Sequence, residues 1–150
     1  LVGRIDRYAL ATEYIPGKGA GEAAPGEVGE TFFARLAATV EAIHARGVAL
    51  CDLRNMNNVL ISEKGEPYVI DFAAGLRRGA PWNLPLNALH RLFAQDDRLG
   101  VIKLKQRLAP HLVTPEESRR YRKGVFLQAP TIAVRNWGRR WLKRLVGAKT

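Results

Sequence analysis

A predominantly helical α+β fold with one small β-hairpin is the class this sequence predicts. Three observations point there. Apolar residues recur at three- and four-residue spacing from Thr31 to Arg46, two short β-type runs flank Glu63-Lys64-Gly65-Glu66, and helical patterning resumes near Asn87. The apolar share of 47% and charged share of 25% are those of an ordinary globular chain, which excludes the disordered class. No run of about eighteen apolar residues offers a membrane span. The single Cys51 leaves no intramolecular disulfide and fits a reducing compartment, and no signal-peptide pattern opens the chain, so the cytoplasmic side is expected. Leu1-Val2-Gly3-Arg4-Ile5-Asp6-Arg7-Tyr8 has the character of the middle of a longer protein.

Taken in order, Tyr8 to Ile15 is a β-type run stopped by Pro16-Gly17, and Gly, Ala, Glu and Pro then predict a loop up to Gly29. Phe32, Phe33, Leu36, Val40 and Ile43 form the stripe of an amphipathic helix that Gly47 closes as a C′ glycine. Val59-Leu60-Ile61-Ser62 and Tyr68-Val69-Ile70-Asp71-Phe72, joined by a turn containing Gly65, predict the hairpin. Ala73, Ala74, Gly75 and the stretch Pro81-Trp82-Asn83-Leu84-Pro85 predict a loop, followed by a helix from about Asn87 to Leu108. Thr114-Pro115-Glu116-Glu117 has the residue order of a capped helix start, with Pro at N1 and carboxylates near the positive end of the dipole. A last helix is expected from about Ile132 to Val146, with Trp137 and Trp141 among its apolar residues. No internal repeat is present.

Charge is unevenly distributed. Residues 1–100 carry 11 Lys and Arg against 12 Asp and Glu, whereas residues 101–150 carry 13 against 2, so the first two thirds sum to −1 and the last third to +11, giving the net +10. Such a tail calls for an anionic partner: a membrane surface, a nucleic acid or a phosphorylated glycan. Basic residues interleaved with Trp137 and Trp141 suit a helix lying in a lipid headgroup layer, and equally a helix packed on a lobe with a solvated face. No recognised nucleic-acid module accompanies the tail, which makes nucleic acid the weakest of the three.

The residues with the most chemical content lie between helix and hairpin. Phosphoryl transfer needs a carboxylate beside the attacking hydroxyl, and an amide oxygen and a second carboxylate to hold magnesium against a triphosphate. Asp52, Asn58 and Asp71 supply these types, and the hairpin between Asn58 and Asp71 would bring the two metal ligands together.

Residues 8 to 73 resemble the protein-kinase-like superfamily. Ile43-His44-Ala45-Arg46-Gly47-Val48 resembles the end of its long helix, Asp52-Leu53-Arg54 its Asp-Leu-Lys, and Asp71-Phe72-Ala73 its Asp-Phe-Gly. The resemblance implies the carboxy-terminal lobe of an ATP- and magnesium-dependent kinase. Residues 1–17 would be the end of the upper lobe and the hinge, 18–130 the lobe, and 131–150 the basic amphipathic helix. It further implies that Asp52 is the base, that Arg54 stands for the family's catalytic-loop Lys, and that Asn58 and Asp71 bind Mg2+. Counting forward from Asp52 selects Asn57 in place of Asn58. Thr12 would be like a gatekeeper, with Glu13 and Ile15 presenting backbone groups to adenine. Asp96 or Asp97, of which Asp97 is preferred, resembles the Asp that braces the family's catalytic loop.

Departures narrow the resemblance. Leu50 and Cys51 stand where the family has His and Arg, no Ala-Pro-Glu follows Asp71, and the glycine-rich loop and phosphate-binding Lys expected before the hinge are not in these 150 residues. These 150 residues alone are therefore expected to be poor catalysts. The pattern is similar to the compact lipopolysaccharide-core kinases and RIO-type kinases. It implies a hydroxyl-bearing glycan or lipid as acceptor, with a protein Ser/Thr acceptor or a non-catalytic pseudokinase as the alternatives. Cys51 is expected to be a small buried apolar residue, His44 a structural residue at its helix end, and His90 and His111 surface or packing residues.

Overall fold

The computed structural model describes residues 3–4 and 10–126, and the expected helix from Ile132 to Val146 lies outside them. Among the described residues there are three α-helices and three small antiparallel sheets, an α+β arrangement. Strands β1 (Gly3–Arg4) and β2 (Leu10–Ala11) pair with each other. The segment expected to be strand up to Ile15 is irregular after Ala11.

A third strand, β3 (Gly17–Gly19), lies where a loop was expected, because it gains partners from a distant part of the chain. It pairs with β5 (Val59–Ser62), which in turn pairs with β6 (Pro67–Val69), so β5 is central. A methyl group at Gly17 would lie 2.2 Å from the Ile61 carbonyl oxygen, so only glycine lets the two backbones approach. Gly17→Ala is expected to cost about 2 kcal/mol through that overpacking, read from urea unfolding. The β5–β6 turn closes through Gly65 N–H to Ser62 O at 2.8 Å, with Gly65 at φ +73°.

Helix α1 (Glu30–Ala45) buries Phe32, Phe33, Leu36, Val40 and His44, a face that follows the i, i+4 series of the sequence. Gly47, at φ +79°, ends it as expected, its N–H donating to His44 O at 2.8 Å. Leu36 and Val40 share a core with Leu50, Leu53, Val59, Ile61, Leu104 and Leu108. Two very short strands, β4 (Val48–Ala49) and β7 (Leu76–Arg77), pair across segments the sequence left irregular.

Helix α2 (Leu84–Leu108) begins three residues earlier than expected. Asn83 caps it by accepting from Leu86 N–H at 3.2 Å, and Pro85 sits in the first turn, where a missing N–H costs nothing. Gly100 lets α2 approach the chain at Leu53: a Cβ there would meet Leu53 carbonyl carbon at 3.0 Å. The start of α3 (Pro115–Phe126) is a capping box. Glu117 N–H donates to Thr114 Oγ1 at 3.1 Å, and Thr114 N–H donates to Glu117 Oε2 at 2.8 Å. Burial raises the Glu117 pKa, but its bonds from Thr114 and Lys105 outweigh burial and hold it below the ordinary 4.5. The stabilisation is therefore fully present above 4.5 and is lost as pH falls through the lowered folded value. Glu117→Gln is expected to lose about 1 kcal/mol at neutral pH and progressively less as pH falls below 4.5, by urea unfolding across that range.

Candidate functional site

Two pairings set the geometry. The β4–β7 ladder joins Ala49 to Leu76, and the β5–β6 ladder joins Val59 to Val69. The chain between β4 and β5, and the chain between β6 and β7, therefore both cross from one ladder to the other and run side by side. The first crossing carries Asp52 and Asn58, and the second carries Asp71. At the hairpin end they are tied by Ile70 N–H donating to Asn58 O at 2.9 Å.

Asparagines organise the first crossing. The Asp52 carbonyl accepts from Asn55 N–H at 3.1 Å and from Asn58 Nδ2 at 3.0 Å, while Asn55 Nδ2 donates to Asn58 Oδ1 at 3.2 Å. A 3-10 turn at Met56–Asn58 then separates the two candidate ligands. Asn58 is buried against the Asp52 loop, whereas Asn57 is exposed and aims its Oδ1 towards Gly19 and Gly21, where a Cβ would meet it. Asp52 is half-buried, and Asp71 is exposed with Oδ1 accepting from Ala73 N–H at 3.1 Å.

Among the described residues, only two other than glycine adopt positive φ: Cys51 at +66° and Asp71 at +61°. Each such residue costs on the order of 1 kcal/mol and persists where its surroundings over-determine it. One directly precedes Asp52 and the other is the second candidate carboxylate. The turn at Asp71 is also why β6 stops at Val69, short of the strand expected through Phe72.

Cys51 is held in place by Asp97, which is 1% exposed and lies inside α2. Its Oδ2 accepts from Leu50 N–H at 2.8 Å and bonds His44 Nε2 at 2.9 Å, while Oδ1 accepts from Cys51 N–H at 3.0 Å. Asp97 thus fixes the backbone directly before Asp52. His44 does more than end its helix: it links α1 to this carboxylate, a burial foreshadowed by its place in the series Phe32, Leu36, Val40. The Cys51 thiol is buried, and burial with the charge of Asp97 pushes its pKa up to about 12, so it is an inert packing group.

The other candidate residues are placed differently. Arg54 turns to α2 and α3, its guanidinium 3.8 Å from Asp96, 3.5 Å from Tyr121 Oη and 5.9 Å from that ring's centre. Thr12 and Glu13 are exposed and Ile15 is half-buried in the irregular segment before β3. Pro16 O accepts from Glu63 N–H at 3.1 Å, which puts this segment at the hairpin-turn end of the three-stranded sheet. Asn58 and Asp71 lie at the opposite end of β5, Asn58 being five residues from Glu63, or about 17 Å along the strand. The boundary expected at residues 17 and 18 falls inside β3.

Among the described residues, no group of three or more His, Cys, Asp or Glu is placed to hold a metal by itself, and no helix is long and apolar enough to cross a membrane. Comparison with protein-family models, curated proteins and solved structures found no match.

Proposed function

We propose that this chain is the kinase-like carboxy-terminal lobe of an ATP- and magnesium-dependent phosphotransferase acting on a hydroxyl acceptor. The observation that carries the reading is the juxtaposition of the two crossings, with their left-handed residues beside Asp52 and at Asp71. Asp52 orients the acceptor hydroxyl and takes its proton. Asn58 Oδ1 and the Asp71 carboxylate are oxygen ligands of the kind magnesium selects, and they leave room for triphosphate oxygens and water to complete the shell. Magnesium, when bound, supplies neutralisation of charge developing on phosphate oxygens. The resemblance puts adenine at Glu13 and Ile15, with Thr12 beside it and the phosphates at Asp71. Asn58 is favoured over Asn57 because Asn57 faces Gly21. Arg54, held by Asp96 and Tyr121, braces the loop in this reading.

The acceptor class rests on the resemblance and on charge: no protein-substrate platform follows Asp71, and the strongly basic last third suits a phosphorylated glycan or lipid-linked sugar such as a lipopolysaccharide core. The same charge suits a position peripheral to the inner face of the membrane, on the cytoplasmic side that the single Cys51 favours. The test is magnesium-dependent phosphate transfer from ATP to purified lipopolysaccharide by the full-length protein. Transfer is the expected result. Nucleotide binding without transfer to any acceptor would instead make the protein a non-catalytic binding module, and absence of binding would remove the nucleotide site altogether.

A further inference from the structure

Helices α1, α2 and α3 together line a cavity of about 1070 Å3, to which none of Asp52, Asn58 and Asp71 contributes. Its volume is that of a small-molecule site. Five cations face it, Arg78, Arg91, Arg98, Arg120 and Lys123, against one carboxylate, Glu41. Glu41 is engaged by Arg98 at 2.5 Å, and Arg120 pairs with Glu116 at 2.6 Å. Arg78, Arg91 and Lys123 have no carboxylate partner among the described residues.

Beneath these cations the wall is polar and unsatisfied. His44 Nδ1, His90 Nε2 and Asn87 Oδ1 are buried without a hydrogen-bond partner, and all three residues line the cavity. His44 and His90 are only 7% and 5% exposed, and an orphaned buried polar atom is destabilising until a partner satisfies it. Their other polar atoms are committed: His44 Nε2 to Asp97, Asn87 Nδ2 to Ala80 O at 2.9 Å, and the second ring nitrogen of His90 to the Gly47 backbone. Burial, with the charges of His44 and Arg78, holds the His90 pKa below the usual imidazole range, so its free nitrogen accepts at neutral pH. Asn87 Oδ1 also accepts, and His44 Nδ1 is a third unpartnered polar atom on the same wall.

A ligand that satisfies both layers carries an anion for the rim and hydroxyl donors for the wall. We infer that this cavity binds a phosphorylated sugar, its phosphate on Arg78, Arg91 and Lys123 and its hydroxyls on Asn87 Oδ1 and His90 Nε2. The inference does not depend on phosphoryl transfer by the chain. Through His44 and Asp97 the occupied cavity is joined to the amides of Leu50 and Cys51.

The test is an NMR and calorimetric titration of the 15N-labelled chain with a hexose 6-phosphate, the neutral hexose and inorganic phosphate. The expected result is binding of the hexose phosphate at least about tenfold tighter than either part, with shifts at the His44 and His90 ring nitrogens and the Leu50 and Cys51 amides. Arg78 and Arg91 are exposed, so the double variant Arg78→Gln/Arg91→Gln keeps the fold and is expected to weaken binding by about tenfold or more. Absence of ring-nitrogen shifts, inorganic phosphate binding as tightly as the hexose phosphate, or undiminished binding by the double variant would each overturn the inference.

Discussion

Asp52→Asn is expected to lower kcat of the proposed phosphotransferase by about 10^3-fold while leaving KM for magnesium-ATP nearly unchanged. The amide is isosteric, so the Asp52 carbonyl keeps its bonds from Asn55 and Asn58 and the loop keeps its shape. The substitution replaces a proton-accepting carboxylate by an amide that cannot take the proton. Asp71→Ala is expected to act on the other parameter, abolishing magnesium-dependent nucleotide binding, because the exposed carboxylate is a direct ligand in the proposal. Asn58→Ala should lose magnesium-dependent binding as Asp71→Ala does and also lower kcat, because it removes the side-chain amide's hydrogen bond to the Asp52 carbonyl, and Asn57→Ala should resemble the wild type. Steady-state kinetics with nucleotide-binding measurements on these four variants separate the roles. Equal loss of kcat and binding in Asp52→Asn would contradict a base acting on the acceptor alone, and a magnesium defect in Asn57→Ala would move the ligand to that residue.

Removing the Asp97 side chain is expected to cost about 4 kcal/mol, the largest stability loss predicted for a single polar group in this chain. The carboxylate is 1% exposed and serves three donors from two other segments. In Asp97→Ala, the Leu50 and Cys51 amides and His44 Nε2 all lose their acceptor in a buried place, and Cys51 at φ +66° loses the bond to its N–H. His44→Gln removes one of the three partners and is expected to cost about 1–2 kcal/mol. Denaturant unfolding measures both. A loss in Asp97→Ala no larger than that in His44→Gln would show that the two amides find other partners and that Asp97 does not shape the loop.

Much of the local structure was legible in the residues. The stripe from Phe32 to Val40 and the C′ glycine at position 47 depend only on neighbours within a turn or two of helix. The Thr114–Glu117 box and the Ser62–Glu66 turn are likewise closed within four residues, so their residue types predict them. Strand β3 was not legible, since Gly17-Lys18-Gly19 has no strand preference and is extended because β5 lies beside it with room for no Cβ. The two-residue strands β4 and β7 were hidden for the same reason: 28 positions separate Val48 from Leu76 in sequence, and neither pattern names the other as its partner.

The candidate residues divide in the same way. The sequence by itself determined which groups were available, a carboxylate, an amide and a second carboxylate around a predictable hairpin, and it marked Asp97 as a brace by resemblance. Only the tertiary structure decided that Asn58 faces inward and Asn57 outward, that Arg54 is taken by Asp96 and Tyr121, and that Cys51 and Asp71 are left-handed. It alone gathered cations from positions 78, 91, 98, 120 and 123 around buried His44 and His90. The reason is physical: helix periods, caps and turns are short-range and recorded in adjacent residues. The crossings and the basic cavity form only when long loops close, and their energies come from burial and from hydrogen bonds between segments far apart in the chain.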